Sequence, residues 1–243
     1  MREPYTALAA AYDHMLRHVD YDQWYRYLRA LIFQYMPDPM LILELGCGTG
    51  RFGAKFSRDD FEIYGMDRSI EMLRVARARA YRGFRIFCGD MRSFALAKRF
   101  DFIFSVHDTM NYFLTLAQLA RVLRCVKGAM HDRSVFMFDI TTEHNILRFF
   151  DGRVTRYTVR GLEVEWSNAY NKKKRHIVST LEFRRGGEPL GIETHTQRIY
   201  TVKEITALLK KEGFRVLDVY GDYTFSPPCA DTVMINFVTR RAR

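Results

Sequence analysis

The stretch LILELGCGTGRFG, residues Leu41 to Gly53, decides the fold. Its apolar run from Leu41 to Leu45 is typical of a strand buried on both faces inside a parallel sheet. The glycines that follow, Gly46, Gly48 and Gly50, let the backbone turn sharply and approach a ligand closely. The helix expected after them points its free backbone N–H groups at the same place. The stretch therefore predicts a strand, a ligand-binding loop and a helix.

Two classes of ligand compete for this loop. Gly48, Gly50 and Gly53 match the GxGxxG fingerprint of dinucleotide-binding enzymes, which predicts a nicotinamide or flavin cofactor. Glu44, however, lies in the last turn of the strand, two residues before Gly46. A carboxylate there would repel a pyrophosphate and attract an ammonium group. The position of Glu44 therefore favours a ligand with an amino group.

Strand and helix patterns alternate after the loop, which predicts a doubly wound α/β sheet. The second predicted strand, 61–66, ends in Asp67, where an acid can accept hydrogen bonds from both hydroxyls of a ribose. The third, 84–88, is followed by Asp90, which can accept from an adenine amino group or be only a turn residue. The fourth opens into the polar stretch His107 to Tyr112, across the sheet's switch point from the glycine loop.

The chain before the first strand reads as helix from Tyr5 to Met36, ended by Pro37 and Pro39. Most of its aromatic residues are expected to pack against the sheet. Aromatic rings also attract sulfonium and quaternary ammonium ions, so Tyr12 is a candidate for a ligand contact.

Between residues 151 and 200 the apolar pattern changes to a period of two. Three antiparallel strands are predicted there, at 163–170, 176–184 and 191–200. The chain therefore divides into a main domain, residues 1–150 and 201–243, and an inserted antiparallel β-sheet, residues 151–200, placed to cover the ligand edge. In its last strand Glu193, His195 and Gln197 share one face.

The composition excludes several classes of protein. A chain of 243 residues with 48% hydrophobic content can bury a full core. No stretch approaches the roughly 20 apolar residues that a membrane span needs, so we expect a cytoplasmic protein. The four cysteines are scattered singly, which predicts neither disulfides nor zinc.

The formal net charge of +10 fits a nucleic acid, an acidic small substrate or a solvated surface. Its basic residues cluster in three separate places: five arginines between positions 74 and 85 lie around one predicted helix, a second cluster lies in a turn at 172–175, and a third lies at 240–243. Because aromatic residues do not interleave with them, solvated faces are the favoured interpretation.

Nearly the whole chain resembles the class I S-adenosylmethionine (SAM) dependent methyltransferases. The resemblance is to the subgroup with an aromatic N-terminal helix and an inserted sheet, which is related to bacterial small-molecule N-methyltransferases and glycine N-methyltransferase-like enzymes. The matching pieces are Ala11-Tyr12-Asp13, Val19-Asp20-Tyr21 with Trp24, Glu44 to Gly50, Asp67, Gly89-Asp90-Met91, Asp108 to Tyr112, and Glu193 to Tyr200. The resemblance implies a seven-stranded, mostly parallel Rossmann-like sheet and SAM as the cofactor.

The resemblance also implies roles for single residues. Glu44 and the Gly46 backbone would bind the methionine end, Asp67 the ribose, Asp90 with Met91 the adenine, and His107 would lie beside the sulfur. The implied cofactor residues are Tyr12, Trp24, Glu44, Gly46, Cys47, Gly48, Gly50, Asp67, Asp90, Met91 and His107.

Neither fold nor loop identifies the methyl acceptor. A small-molecule nitrogen is favoured, with RNA as the alternative and an NAD-dependent oxidation as a more distant one. An amine need only be neutral to accept a methyl group, whereas a hydroxyl would need a base, for which His195 or Asp108 is the candidate. The candidate substrate-binding residues are Asn111, Tyr112, Arg198 and Tyr200. No metal is expected, and the oligomeric state stays open.

Overall fold

The structure, a computed structural model, describes residues 3–36, 38–59, 61–80 and 83–242. Its strands are β1 Leu41–Leu45, β2 Glu62–Asp67, β3 Phe84–Cys88, β4 Phe100–Ser105, β5 Met130–Thr141, β6 Val154–Val159, β7 Leu162–Asn171, β8 His176–Arg185, β9 Glu188–Arg198, β10 Phe214–Gly221 and β11 Met234–Arg241. Its α-helices are α1 Tyr12–Met15, α2 Tyr21–Tyr35, α3 Arg51–Phe56, α4 Ile70–Arg77, α5 Leu116–Gly128, α6 Glu143–Asn145 and α7 Val202–Lys211. Pro37, where the first helix was predicted to end, lies outside the described residues.

Seven strands form the main sheet in the order β10-β11-β5-β4-β1-β2-β3. The pairs from β3 to β5 are parallel, and β11 runs antiparallel to both of its neighbours. The predicted seven-stranded, mostly parallel sheet is confirmed. The strand order reverses between β1 and β4, so the loops after these two strands border the crevice where such sheets bind ligands.

The strand β1 is buried because helices cover both faces of the sheet. Leu43 and Leu45 face the core that contains α5 and α7, and Ile42 faces the core that contains α2 and α3. All three side chains have 0% exposure. Each contributes about 1.5 to 3 kcal/mol by leaving water. This packing fixes the end of β1, and with it the glycine loop.

The N-terminal helix is not continuous, and the prediction of one helix from Tyr5 to Met36 is wrong. A short 3-10 turn and α1 come first, and a separate helix, α2, begins after Asp20. The Asp20 carboxylate accepts hydrogen bonds from the backbone N–H groups of Asp22 and Gln23, at 3.1 and 2.8 Å. A side chain that caps a new helix competes with continuation of the old one. Capping boxes, formed by the same kind of local hydrogen bonds, begin α5 and α7.

The strands β6 to β9 form a second, wholly antiparallel sheet in chain order. Three of them match the predicted strands, whereas β6 was missed, because most of its residues are exposed and give no clear alternation. Leu162, Val164 and Leu181 of this sheet pack against Leu8 and Met15. The N-terminal segment is therefore held between the two sheets.

Among the described residues, no helix combines the length and apolarity needed to cross a membrane. The same residues contain no group of three or more His, Cys, Asp or Glu side chains placed to hold a metal ion.

Candidate active site

The glycine loop turns tightly at the end of β1. Gly46 and Gly50 have φ angles of 74° and 75°, which L side chains rarely adopt. A Cβ atom on Gly46 would lie 2.7 Å from Cγ2 of Thr109, and one on Gly50 would lie 2.9 Å from Cβ of Ala76. Glycine is therefore required at both positions for the loop to fit between its neighbours.

Glu44 lies beneath this loop with 2% exposure. Its Oε2 accepts a hydrogen bond of 3.1 Å from the backbone N–H of Gly53, in the first turn of α3. Burial raises the pKa of Glu44 to about 8, against the opposing effect of that hydrogen bond. The carboxyl therefore gains strongly from a nearby positive group, which favours its ionised form.

The acids after β2 and β3 differ in what they already bind. The two oxygens of Asp67 accept from the backbone N–H groups of Gly48 and Ser69, at 2.9 and 2.8 Å. Asp67 thus fixes the glycine loop and keeps lone pairs for a ligand. The Asp90 carboxylate is held by both ends of the Arg92 guanidinium, which lowers the pKa of Asp90 to about 2.

A first cavity of about 190 Å³ opens above these residues. Nine of the predicted cofactor residues line it, namely Tyr12, Glu44, Gly46, Cys47, Gly48, Asp67, Asp90, Met91 and His107. Gly50 does not line the cavity and is the N-cap residue of α3. Trp24 is not in this lining, because it stacks on Tyr223 with ring centroids 3.9 Å apart and faces a second cavity.

The second cavity, of about 490 Å³, lies between the N-terminal segment, the small sheet and the end of β5. Its lining includes both predicted bases, Asp108 and His195. Four residues line both cavities: Tyr5, Tyr12, His107 and Tyr112. The two cavities therefore meet at this group, which we call the aromatic junction.

Asp139 holds the loop that carries the junction's histidine. Its two carboxylate oxygens accept from the backbone N–H groups of His107 and Asp108, at 2.7 and 2.8 Å. Both residues have positive φ angles, 64° and 50°. Such a strained backbone needs fixed partners, which Asp139 supplies from the neighbouring strand β5.

The loop's two ionisable side chains are both driven toward their neutral forms. Burial, with a smaller electrostatic contribution from the nearby His18, lowers the pKa of His107 to about 4. Burial and the charge of Asp139 raise the pKa of Asp108 to about 8. His107 therefore presents a neutral imidazole to both cavities, and Asp108 presents its carboxyl to the second cavity.

A chain of hydrogen bonds runs from the junction into the small sheet. The Tyr5 hydroxyl donates to the Tyr112 oxygen at 2.6 Å, and the Tyr112 hydroxyl lies 3.0 Å from Nδ1 of His195. Nε2 of His195 lies 3.3 Å from Oε2 of Glu193. Because an ionised carboxylate can only accept, Nε2 carries the proton and Nδ1 accepts from Tyr112.

Three of the predicted substrate residues are not brought to either cavity. The Asn111 side chain bridges the backbones of Arg198 and Thr141. The Arg198 guanidinium pairs with Glu204 at 2.9 Å and lies over the Tyr200 ring. The Tyr200 hydroxyl donates to the backbone oxygen of Phe113. These three side chains join β9 to the main sheet instead.

Several lining residues were missed by the sequence predictions. Arg51 follows the last glycine of the loop directly, and a basic residue at a helix start was a signal that could have been used. Tyr5 lines both cavities and is brought there only by the fold, where its backbone N–H donates to Glu193, 188 positions away. No local pattern marks such a contact.

Comparison with known proteins gives a consistent class. Residues 42–132 match the methyltransferase domain family. A Bacillus subtilis (strain 168) protein, provisionally named a methyltransferase, is 26% identical over 98% of both chains. The dTDP-4-amino-2,3,4,6-tetradeoxy-D-glucose N,N-dimethyltransferase of Saccharopolyspora spinosa is 27% identical, over 76% of this chain and 75% of its own. The crystal structure of a SAM-dependent methyltransferase from Clostridium acetobutylicum ATCC 824 has a TM-score of 0.84 at 23% identity, covering 98% of this chain and 99% of its own.

The matched domain and the sheet topology show a methyltransferase domain with the class I methyltransferase fold. The residues of the first cavity fit SAM, the methyl donor that enzymes of this fold use. Tyr21 lines the cavity, and its buried hydroxyl has no hydrogen-bond partner among the residues that the structure describes. The Arg51 guanidinium lies 4.0 Å from the centroid of the same ring. An unpaired buried donor beside a guanidinium suits a carboxylate, which the methionine end of SAM carries.

Proposed function

We propose that this enzyme transfers a methyl group to an amine nitrogen of a small molecule bound in the second cavity. The observation that carries the proposal is the aromatic junction, where the first and second cavities meet beside a carboxyl with a raised pKa, Asp108. The Saccharopolyspora spinosa relative, by its name, also methylates an amino group.

In this proposal different residues of the first cavity bind different chemical groups of the cofactor. Glu44 binds its ammonium, Arg51 and the Tyr21 hydroxyl bind its carboxylate, and Asp67 binds the ribose hydroxyls. When bound, the cofactor supplies a methyl group whose bond to the sulfonium sulfur breaks as a bond to the acceptor nitrogen forms, leaving a neutral thioether. Asp90 and Met91 line the adenine end, with Asp90 shared between Arg92 and the ligand.

The aromatic junction surrounds the place where the two cavities meet. Aromatic faces attract a cation by about 0.5 to 2 kcal/mol each, depending on how dry the site is. His107 stays neutral because of its lowered pKa, so it adds no positive charge beside a sulfonium. Most of the catalysis then comes from holding acceptor and donor in line, in a cavity closed to water.

Asp108 acts on the acceptor. An amine enters as an ammonium ion, loses one proton to the Asp108 carboxylate, and attacks through the freed lone pair. A carboxyl whose pKa is raised to about 8 accepts that proton more readily than an ordinary one. His195 is a positioning residue in this scheme, because both of its ring nitrogens are engaged by Tyr112 and Glu193.

The small sheet covers the acceptor. Tyr157, Trp166, Ser179 and His195 of its four strands line the second cavity. The proposal also places the enzyme in the cytoplasm, since four unpaired cysteines are typical of a reducing compartment.

The test compares small molecules with RNA as acceptors. Methyl-labelled SAM is incubated with the enzyme and either a low-molecular-weight cell extract or total RNA. The salt concentration is high enough to suppress the attraction of a chain of +10 charge to polyanions. We expect label in dialysable amines and loss of labelling in Asp67→Asn, with Asp132→Asn, an exposed carboxyl, as the control. Label at one nucleotide position of RNA would contradict the proposal.

A further inference from the structure

The second cavity differs from the first in the charges that line it. Three arginines, Arg51, Arg68 and Arg92, line the first cavity. Within the part of the chain that the structure describes, no lysine or arginine lines the second. The acidic group that it does present is the carboxyl of Asp108. The protein therefore places guanidinium groups around the cofactor and an acid around the acceptor.

The polar side chains of the second cavity bind one another. Trp166 Nε1 and Ser179 Oγ both donate to Asn168 Oδ1, at 2.9 and 2.5 Å. Gln197 Nε2 donates to the backbone oxygen of Asp108 at 3.2 Å, and Asn145 Nδ2 donates to Thr141 Oγ1 at 2.8 Å. Phosphate oxygens need several donors or a guanidinium. The donors named above already bind acceptors of the protein, so they are not free to bind a phosphate.

The rest of the wall is aromatic and aliphatic, with Phe149, Phe150, Tyr157, Trp166 and Leu181 among its members. Such a surface favours the apolar body of a ligand and attracts an ammonium group through the ring faces. A phosphate placed there would lose its water and meet no lysine or arginine among the lining residues that the structure describes.

We infer that the acceptor is an amine with an apolar body that carries no phosphate, unlike the nucleotide-linked amino sugar named for the Saccharopolyspora spinosa relative. This inference rests on the proposed function, because it assumes that the second cavity is the acceptor site. It adds the chemical class: the ammonium faces Asp108, and the apolar body fills the space below the small sheet.

A competing arrangement would place a phosphate of the acceptor at the opening of the second cavity. Phe149 is 45% exposed, and the Arg148 guanidinium lies 5.3 Å from the centroid of its ring. Arg153 donates to the backbone oxygen of Arg148 at 2.8 Å. A phosphate-bearing acceptor would have to leave its phosphate outside, against these two arginines. Substitution of Arg148 therefore separates the two arrangements.

The experiment uses two acceptors that differ only in a phosphate, tyramine and O-phosphotyramine, with a dTDP-linked amino sugar as a third. Binding to the enzyme loaded with S-adenosylhomocysteine is measured by calorimetry, and turnover is measured with labelled SAM. Phenylalkylamines with two to four methylene groups are tested as further amines that carry no phosphate. We expect the best phosphate-free amine to bind about ten- to a hundredfold more tightly than either phosphate-bearing compound.

Two variants complete the design. Asp108→Asn should weaken amine binding by about ten- to a hundredfold while S-adenosylhomocysteine binds as before, because Asp108 does not line the first cavity. Arg148→Ala should change neither the affinity for the amine nor the affinity for S-adenosylhomocysteine. Preference for a phosphate-bearing acceptor, lost in Arg148→Ala, would overturn the inference and leave the proposed function intact. Failure of every phosphate-free amine to bind the loaded enzyme would overturn it as well. Methylation of RNA alone would instead overturn the proposed function.

Discussion

The Tyr112 hydroxyl lies 3.0 Å from Nδ1 of His195 and joins the loop after β4 to the last strand of the small sheet. Tyr112 lines both cavities, whereas His195 lines only the second. The contact therefore fixes the side chain that separates cofactor from acceptor. The other ring nitrogen of His195, Nε2, contacts the carboxylate of Glu193, which is fully buried.

Substitution of His195 should impair positioning without loss of the cofactor. In His195→Gln the Tyr112 hydroxyl loses its aligned acceptor, so we expect turnover to fall about tenfold or more while affinity for S-adenosylhomocysteine changes little. Steady-state kinetics and calorimetry measure the two effects. His176→Gln, in the neighbouring strand and outside both cavity linings, is the matched control. Equal turnover in the two variants would show that His195 is scaffold.

The pH dependence of turnover should report Asp108. The pKa of this carboxyl is raised to about 8, so it is protonated at lower pH and cannot take a proton from the acceptor. We expect kcat to rise with pH across that pKa in the unchanged enzyme, and Asp108→Asn to lower kcat and remove the inflection. Asp132→Asn, with a side chain 98% exposed, should keep it. A profile with the same inflection in Asp108→Asn would assign it to another group.

Glu193 should act as a latch for the N-terminal segment. Its carboxylate accepts hydrogen bonds from the backbone N–H groups of Tyr5, Ala7 and Leu8. In Glu193→Ala these donors lose their partner, so amide hydrogen exchange over residues 5–11 should speed up by about ten- to a hundredfold. Mass spectrometry of peptic fragments measures this. Glu188→Ala, an exposed glutamate of the same strand, should leave exchange unchanged.

The latch should also matter for binding. Tyr5 and Tyr12, which the segment carries, line both cavities. We therefore expect Glu193→Ala to weaken the binding of cofactor and acceptor together, unlike His195→Gln. Unchanged exchange in Glu193→Ala would mean that packing on the small sheet holds the segment by itself.

Local patterns predicted the fold well because its elements are set by neighbouring residues. The buried run of β1, the glycine turns and the capping boxes each depend on a few positions in sequence, and the structure has all of them. The strand-end acids Glu44 and Asp67 followed from the same logic, because parallel strands bring their carboxyl ends to one edge. These features required no knowledge of distant contacts.

The acceptor side was less predictable because it is assembled from distant segments. The alternation of period two in β9 predicted the face on which His195 lies, but it did not predict which residues His195 contacts. Tyr5 and Tyr112, whose hydroxyls form a hydrogen bond, are 107 positions apart in the sequence. Arg198 has the chemistry of a substrate ligand, yet Glu204 in the next helix neutralises it. Charge and alternation alone do not show which side of a strand meets a cavity and which meets another element.

Glu44→Gln should raise stability and lower cofactor affinity at the same time. Burial raises the folded-state pKa of Glu44 from 4.5 to about 8, so the stability of its neutral form is fully present below pH 4.5 and is lost as pH rises through 8. Glutamine stays neutral, and its oxygen can still accept from Gly53. The ligand-free variant should therefore unfold at a higher temperature than the unchanged enzyme at pH 8, by about 2 to 4 °C for each kcal/mol gained.

The same substitution removes the charge that faces the cofactor's ammonium, so affinity for S-adenosylhomocysteine should fall about ten- to a hundredfold. Differential scanning calorimetry and titration calorimetry at pH 5 and pH 8 measure the two effects. Glu62→Gln is the control of opposite sign, because hydrogen bonds from Lys98 and Tyr64 lower the pKa of Glu62 and its ionised form stabilises the fold. A variant that binds the ligand as tightly as the unchanged enzyme would contradict the role of Glu44, and the gain in stability alone would then identify a buried carboxyl that does not contact the cofactor.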